Sequence, residues 1–292
     1  MKPFLLCPAY KNYLWGGNKL ETKYQKQVPF ATVAESWECS VHPDGLSTIA
    51  SGLFSGQTLA AFLEHHPEAL GERAARYDEF PILVKFVDAD KDLSIQVHPD
   101  DTFARANEGQ MGKTEMWYVL SAEPGATLVY GFAHDVTAET VRRAIKDNTL
   151  LVHLQTMPVH EGDVFLIEPG VVHAVGGGVL LSGVQENSNV TYRVYDYGRK
   201  DENGSLRTLH TEKALAVMKF SASSTVRQRQ RIIQYTPGMA RELICRCHYF
   251  QVERIRVAKR SAISRAQDTF FVLLIVDGKG RISAEGEQLE VS

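Results

Sequence analysis

Gly162-Asp163-Val164-Phe165-Leu166-Ile167-Glu168-Pro169-Gly170-Val171-Val172-His173 is the stretch that decides what kind of fold this chain has. A Gly-Asp turn launches an apolar run. A Pro-Gly turn then reverses the chain and delivers His173 at the start of the next strand. Runs of the same character surround it: Phe80–Asp88, Glu115–Leu120, Thr127–Phe132 and Val190–Tyr195, each short and bounded by Gly, Pro, Asp or Asn. This pattern predicts a mainly β fold, with one antiparallel barrel from about Phe80 to Val194 whose strand ends meet at its mouth.

Three segments read as helix instead. Residues Gln57 to Arg76 carry apolar side chains at helical spacing, with Pro67 expected to split them into two short helices. Thr137 to Asn148 and Thr211 to Phe220 each open on a threonine suited to cap a helix. Helices this few and this irregularly placed do not alternate with strands, which argues against a doubly wound sheet. The polar, basic Ser221 to Gln234 reads as a connector, and Tyr249 to Val257 and Thr269 to Val276 as strands of a second unit. The expected organisation is therefore a domain at 1–220, a connector at 221–234 and a smaller β unit at 235–292.

A chain of 292 residues with 44% hydrophobic and 23% charged residues has an ordinary globular balance. Its 32 Lys and Arg against 35 Asp and Glu leave a net charge of -3, which provides no chain-wide footprint for nucleic acid or anionic membrane. Four cysteines in this length are not a disulfide scaffold, and the N-terminal apolar stretch is too short for a signal peptide. The longest apolar run, Phe270 to Val276, has the length of a strand rather than a membrane span. A cytoplasmic setting is expected.

Chemistry concentrates in four places. In Ser94-Ile95-Gln96-Val97-His98-Pro99-Asp100-Asp101, an extended chain would project Gln96 and His98 to one face, where an amide oxygen and an imidazole can hold a divalent metal. A strand-end histidine bonded to Asp100 or Asp101 is the plainer alternative. In Gly112-Lys113-Thr114-Glu115-Met116-Trp117, a carboxylate opens an apolar strand, where an unpaired charge is costly. Metal coordination or pairing with Lys113, which shares its parity, would each remove that cost. His173, delivered by its Pro-Gly turn, can meet His98 and Glu115 at the barrel mouth. Two imidazoles and one acid with an open position suit Zn²⁺.

The fourth place is Gln185 to Arg199, where Arg193 stands in an aromatic strand and offers a planar cation to a phosphate or a developing enediolate. Surface stacking on Tyr192 or Tyr195 is the alternative, and Lys85, central in Pro81 to Asp88, raises the same question. His65, His66, His134, His153 and His160 are read as structural. Cys245 and Cys247 are expected to share one buried face.

Taken together, LWGG (14–17), AESWE (34–38), PILVKFVDA (81–89), LSIQVHPDD (93–101), GKTEMWYVL (112–120), EGDVFLIEPGVVHAVGGG (161–178) and NSNVTYRVYDYGR (187–199) resemble the type I mannose-6-phosphate isomerases in their short bacterial form. The resemblance implies a double-stranded β-helix (cupin) fold with a second, degenerate cupin unit behind it. It implies one zinc ion on Gln96, His98, Glu115 and His173, a catalytic Arg193, and a pocket lined by Lys85 and Lys113. It also implies a phosphosugar substrate, mannose 6-phosphate, interconverted with fructose 6-phosphate through a cis-enediol(ate). Lys113, Glu186 and a zinc-bound water are the candidates for moving the proton, with Glu186 also expected at the substrate. Family chains continue past the last strand-turn of the second cupin, so the C-terminal unit is expected to be incomplete. A different metal-dependent cupin enzyme, or a sugar-phosphate sensor without turnover, are the competing readings.

Overall fold

The computed structural model describes residues 2–200, 204–223, 233–263 and 268–292. Two antiparallel sheets dominate it. One has six strands in the order Val164–Ile167, Glu115–Ala122, Val179–Glu186, Ile82–Ala89, Glu35–Cys39 and Ala9–Lys11. The other has five, in the order Tyr192–Tyr195, Ile95–Val97, His173–Val175, Thr127–Phe132 and Leu154–Pro158. The expected span of Phe80 to Val194 is thus widened by two N-terminal strands, which extend one edge of the six-stranded sheet.

Alternation along the strands places the core between the sheets. Val87, Ala89, Trp117, Val119, Val179 and Leu181 from one sheet pack with Leu128, Tyr130 and Val175 from the other. This is the double-stranded β-helix arrangement, and the outer face of each sheet is covered as well. Ile95, Val97, Tyr192 and Val194 lie under the helices Ala138–Lys146 and Thr211–Val217. Ile82, Val84, Met116 and Val184 lie under the helix Leu59–His65 and the C-terminal strands. Burial on both faces is why so many of these strands read as continuous apolar runs rather than alternating ones.

The helices largely follow their sequence signals. Thr58 caps Leu59–His65 by accepting from the Ala61 amide at 3.2 Å, and Pro67 ends that helix and opens the 3-10 turn Pro67–Leu70. Thr137 caps Ala138–Lys146 by accepting from the Thr140 amide at 3.1 Å. Thr211, however, is the first helical residue of Thr211–Val217. The cap position is His210, which makes no side-chain capping bond, and the helix stops short of Phe220. The helix Asp101–Glu108 was not anticipated. Asp100 caps it by accepting from the Phe103 amide at 2.9 Å, and Gly109 closes it in the left-handed conformation.

The C-terminal unit is a three-stranded meander, Ile233–Thr236, Met239–Arg246 and Gln251–Val257, and a hairpin of Gly280–Ala284 with Glu287–Val291. Of the connector expected at 221–234, residues 224–232 lie outside the described residues, and Ile233 and Gln234 already belong to a strand. Thr269 to Val276 is not a strand, although Phe270, Val272 and Leu274 turn inward at the alternation of one. Phe270, Val272 and Leu274 are partly buried against the neighbouring sheet while Phe271 and Leu273 stay exposed, and no strand ladder forms there.

Candidate metal centre and active site

The site is assembled by register. On the five-stranded sheet Arg193 pairs with Gln96, Gln96 with His173, and His173 with Tyr130, so four side chains stand in one row on the inner face. His98 follows two residues after Gln96 on that same face, because Ile95 and Val97 are committed to the outer core. On the six-stranded sheet Glu115 pairs with Ile167 and Gln185. The Glu168-Pro169-Gly170-Val171 turn closes with the Val171 amide on the Glu168 carbonyl at 3.2 Å, and its Gly170 takes φ of 86°. Proline second and a positive-φ glycine third are what a type II turn requires. The Gly170 amide then bonds the His98 carbonyl at 2.9 Å, docking the turn that carries His173 beside His98.

His98, Glu115 and His173 converge from the two sheets, one ligand atom from each lying within 4.8 Å of the others. His98 Nε2 and His173 Nε2 are 3.1 Å apart, and they stand 3.5 Å and 3.2 Å from Glu115 Oε1. His98 Nδ1 faces the Val190 carbonyl at 2.9 Å, and His173 Nδ1 faces the Val171 carbonyl at 2.8 Å. A carbonyl can only accept, so each Nδ1 carries the proton and each Nε2 presents a lone pair to the centre. Glu115 Oε1 is buried there without a hydrogen-bond donor. Bonds of about 2.0–2.1 Å to one tetrahedral ion would space its ligand atoms by about 3.3–3.4 Å, close to the separations found. Three buried acceptors directed at one point fit a divalent cation.

Gln96 borders the triad, its side-chain amide 3.5 Å from His173 Nε2. The nitrogen is placed nearer; an amide turned end for end would present its oxygen. Lys113 lies on the other side, its Nζ donating to His98 Nε2 at 3.2 Å and standing 3.7 Å from Glu115 Oε2. Burial draws the Lys113 ammonium below the usual lysine value, and Lys85 adds to this against the opposing pull of Glu115. Burial, and then Lys113, push the His98 imidazole down to about 3. Burial alone would raise the Glu115 carboxyl, but the Lys113 ammonium outweighs it and holds it well below the usual range.

Lys85 faces inward over Gly183 and is ion-paired at 2.9 Å with Glu35 Oε1, while Glu35 Oε2 accepts from the Trp37 indole at 2.6 Å. No role for Glu35 is read from the sequence; its signal is an acid in one apolar strand and a lysine in another, brought together diagonally, since Lys85 pairs with Trp37 and Glu35 with Val87. Arg193 stands on the Gln96 face, but its guanidinium rests on Ser94 Oγ at 3.2 Å and the Thr208 carbonyl at 3.0 Å. Glu186 is not in the cluster. Its strand neighbour Gln185 pairs with Glu115, so Glu186 turns to the opposite face, where it accepts from the Thr114 amide at 2.6 Å. The placement of Glu186 at the substrate is thereby corrected: strand alternation allows only one of the two residues to face inward.

A family model described as phosphomannose isomerase type I, catalytic domain, matches residues 4–124. The mannose-6-phosphate isomerase ManA of Bacillus subtilis (strain 168) is 34% identical over 285 residues, covering 96% of this chain and 87% of that protein. The chain belongs to the type I phosphomannose isomerase family. The mannose-6-phosphate isomerase of Streptococcus mutans serotype c is 33% identical over 289 residues, covering 98% of this chain and 89% of the relative. The crystal structure of the mannose 6-phosphate isomerase from Bacillus subtilis superposes with a TM-score of 0.88 at 30% identity, covering 99% of this chain and 91% of that one. Nearly the whole chain, C-terminal unit included, therefore follows this type I isomerase fold. Among the described residues no helix is long and apolar enough to cross a membrane.

Proposed function

We propose that this protein interconverts mannose 6-phosphate and fructose 6-phosphate as a zinc-dependent aldose-ketose isomerase. The observation that carries the reading is the buried convergence of two imidazole lone pairs and an undonated carboxylate oxygen beside a buried lysine. Names of relatives at about a third identity over nearly the full chain support the substrate.

Gln96, His98, Glu115 and His173 would hold the zinc, a donor set of nitrogen and oxygen that suits this ion. When bound, zinc supplies Lewis acidity toward the sugar's carbonyl oxygen. The chain itself supplies the rest. Lys113 Nζ, whose pKa is lowered by burial, carries the proton between C2 and C1. Glu186 is dropped from that role because it lies on the other face of its strand. Arg193 provides a cation for the phosphate or for the negative charge that develops on the enediolate, with Lys85, held by Glu35, deeper in the pocket. His98, Lys113, Glu115 and His173 are all buried, so the reacting carbons meet little bulk water. We further assign the chemistry to residues 1–220, with 235–292 as a supporting unit.

Turnover of mannose 6-phosphate tests this directly. Chelation is expected to abolish it and zinc to restore it. Full turnover by metal-stripped protein, or none by the zinc-loaded protein, would overturn the reading.

A further inference from the structure

Behind the metal cluster, on the outer face of the six-stranded sheet, Glu186 is buried beside the partly buried Asp101, between the catalytic strands and the C-terminal unit. Glu186 Oε1 accepts from the Thr114 amide at 2.6 Å, and the Glu186 amide bonds the Thr114 carbonyl at 3.1 Å. Asp101, the first residue of its helix, accepts from the Gly112 amide at 2.8 Å and from the Tyr249 hydroxyl at 2.9 Å. The Glu186 and Asp101 carboxyl groups lie close enough to interact, although carboxylates are both acceptors. One of them must carry a proton. Glu186 is fully buried, where a charge is costly, whereas Asp101 is only partly buried and already accepts two hydrogen bonds, so the proton belongs to Glu186 and is directed at Asp101.

The residues bracketed by these bonds are Gly112 to Thr114 in a chain that presents Lys113 and Glu115 to the metal cluster. We propose that Glu186 is a positioning residue: through its bond to the Thr114 amide and its neighbouring Asp101 carboxyl, it fixes the Lys113–Glu115 segment against the metal site. Tyr249 extends the same network to the C-terminal unit, so a residue far along the sequence braces the segment. The assignment rests on the metal-site reading above but does not need the isomerase reaction.

The titratable and charged groups facing Glu186 are Asp101, Cys247 and Tyr249, with Arg105 acting on Asp101. Burial first, then Asp101, raise the Glu186 carboxyl to about 8, against the Thr114 amide. Its proton-donating form therefore prevails below about pH 8 and is lost above it, and ionisation would set two carboxylates against each other.

The full-length protein tests the proposal in two measurements. Zinc release from the loaded protein to a chromophoric chelator should accelerate about 10–100-fold in Glu186→Ala, the usual effect of losing an outer partner of a metal site. In the metal-free protein, hydrogen exchange at the Thr114 amide should accelerate in the same variant. Glu186→Gln can accept from Thr114 and donate to Asp101, and should match wild type in both below pH 8. Above that pH, wild-type protection should fall while the Gln variant stays flat. A Gln variant as impaired as the Ala variant, or an Ala variant indistinguishable from wild type, overturns the proposal. A protein that passes these measurements yet never turns over mannose 6-phosphate would sink the proposed reaction and leave the Glu186 assignment standing.

Discussion

Nδ1 of His98 and of His173 each donates to a backbone carbonyl, and that local fact settles more of the site than any pattern of charge. It fixes both tautomers, leaves two lone pairs 3.1 Å apart, and makes a cation the natural occupant of the space between them. Arg193 is positioned differently. Tyr192 and Val194 are packed in the outer core, so the guanidinium has only the inner side to occupy, and it does so on Ser94 and Thr208. Burial, and then Arg207, lower its pKa, yet a guanidinium remains a fixed cation at any working pH. If that charge meets the enediolate, Arg193→Ala should lower turnover on the order of a hundred- to a thousand-fold with zinc content unchanged. A rise in the Michaelis constant with turnover intact would assign Arg193 to the phosphate instead. Near wild-type values for both constants would remove it from the chemistry.

Elements show where sequence reading succeeds and where it stops. Gln96 and His98 were legible because Ile95 and Val97 alternate with them and are apolar. His173 was legible because a Pro-Gly turn can deliver it to only one strand start. The helix Asp101–Glu108 was not, because its one-sided pattern is short and its Asp100 cap doubles as part of a metal-like motif. Thr269 to Val276 reads as a strand because Phe270 to Val276 is one unbroken apolar run of strand length, but an apolar run reports burial, and hydrogen-bond partners are decided by what lies alongside. The outward setting of Glu186 leaves no local trace either, because Asp101 beside it, bonded in turn to Tyr249, is distant in sequence. The segment before Glu115 offers a test at this scale. A Cβ on Gly112 would stand 2.5 Å from the Asp101 amide nitrogen and 2.6 Å from the Asp100 carbonyl carbon, both backbone atoms that cannot swing aside. Gly112→Ala should therefore force the helix start and the Lys113–Glu115 segment apart, costing about 1–3 kcal/mol by overpacking. Thermal melts would report the cost, and zinc titration would report weakened binding; a variant with unchanged melting and affinity would contradict the close approach.

For the whole molecule, the question is whether the C-terminal strands are an appendage or part of one cooperative structure. Ile244, Cys245 and Phe250 pack into the same cluster as Ile82, Val84, Met116 and Val184, whose strand carries the chemistry on its other face. Phe270, Val272 and Leu274 cover the same surface, and the Phe270 amide bonds the Leu70 carbonyl at 3.0 Å. Arg254 reaches across to the Tyr118 hydroxyl at 2.6 Å, and Arg73 to Asp268 at 2.7 Å. The exposed ion pair contributes little, whereas the apolar seam removes from water a sheet face that would otherwise be left bare. The two units should then unfold together. Ile244→Ala deletes apolar volume at that seam, at a cost of about 2–5 kcal/mol. If the molecule is one cooperative structure, calorimetry should show a single transition moved down by several degrees, and near-ultraviolet signals from both units should move with it. Two separated transitions, with the catalytic sheets melting at their wild-type temperature, would show that the C-terminal unit only rests on the outer sheet and that the site does not depend on it.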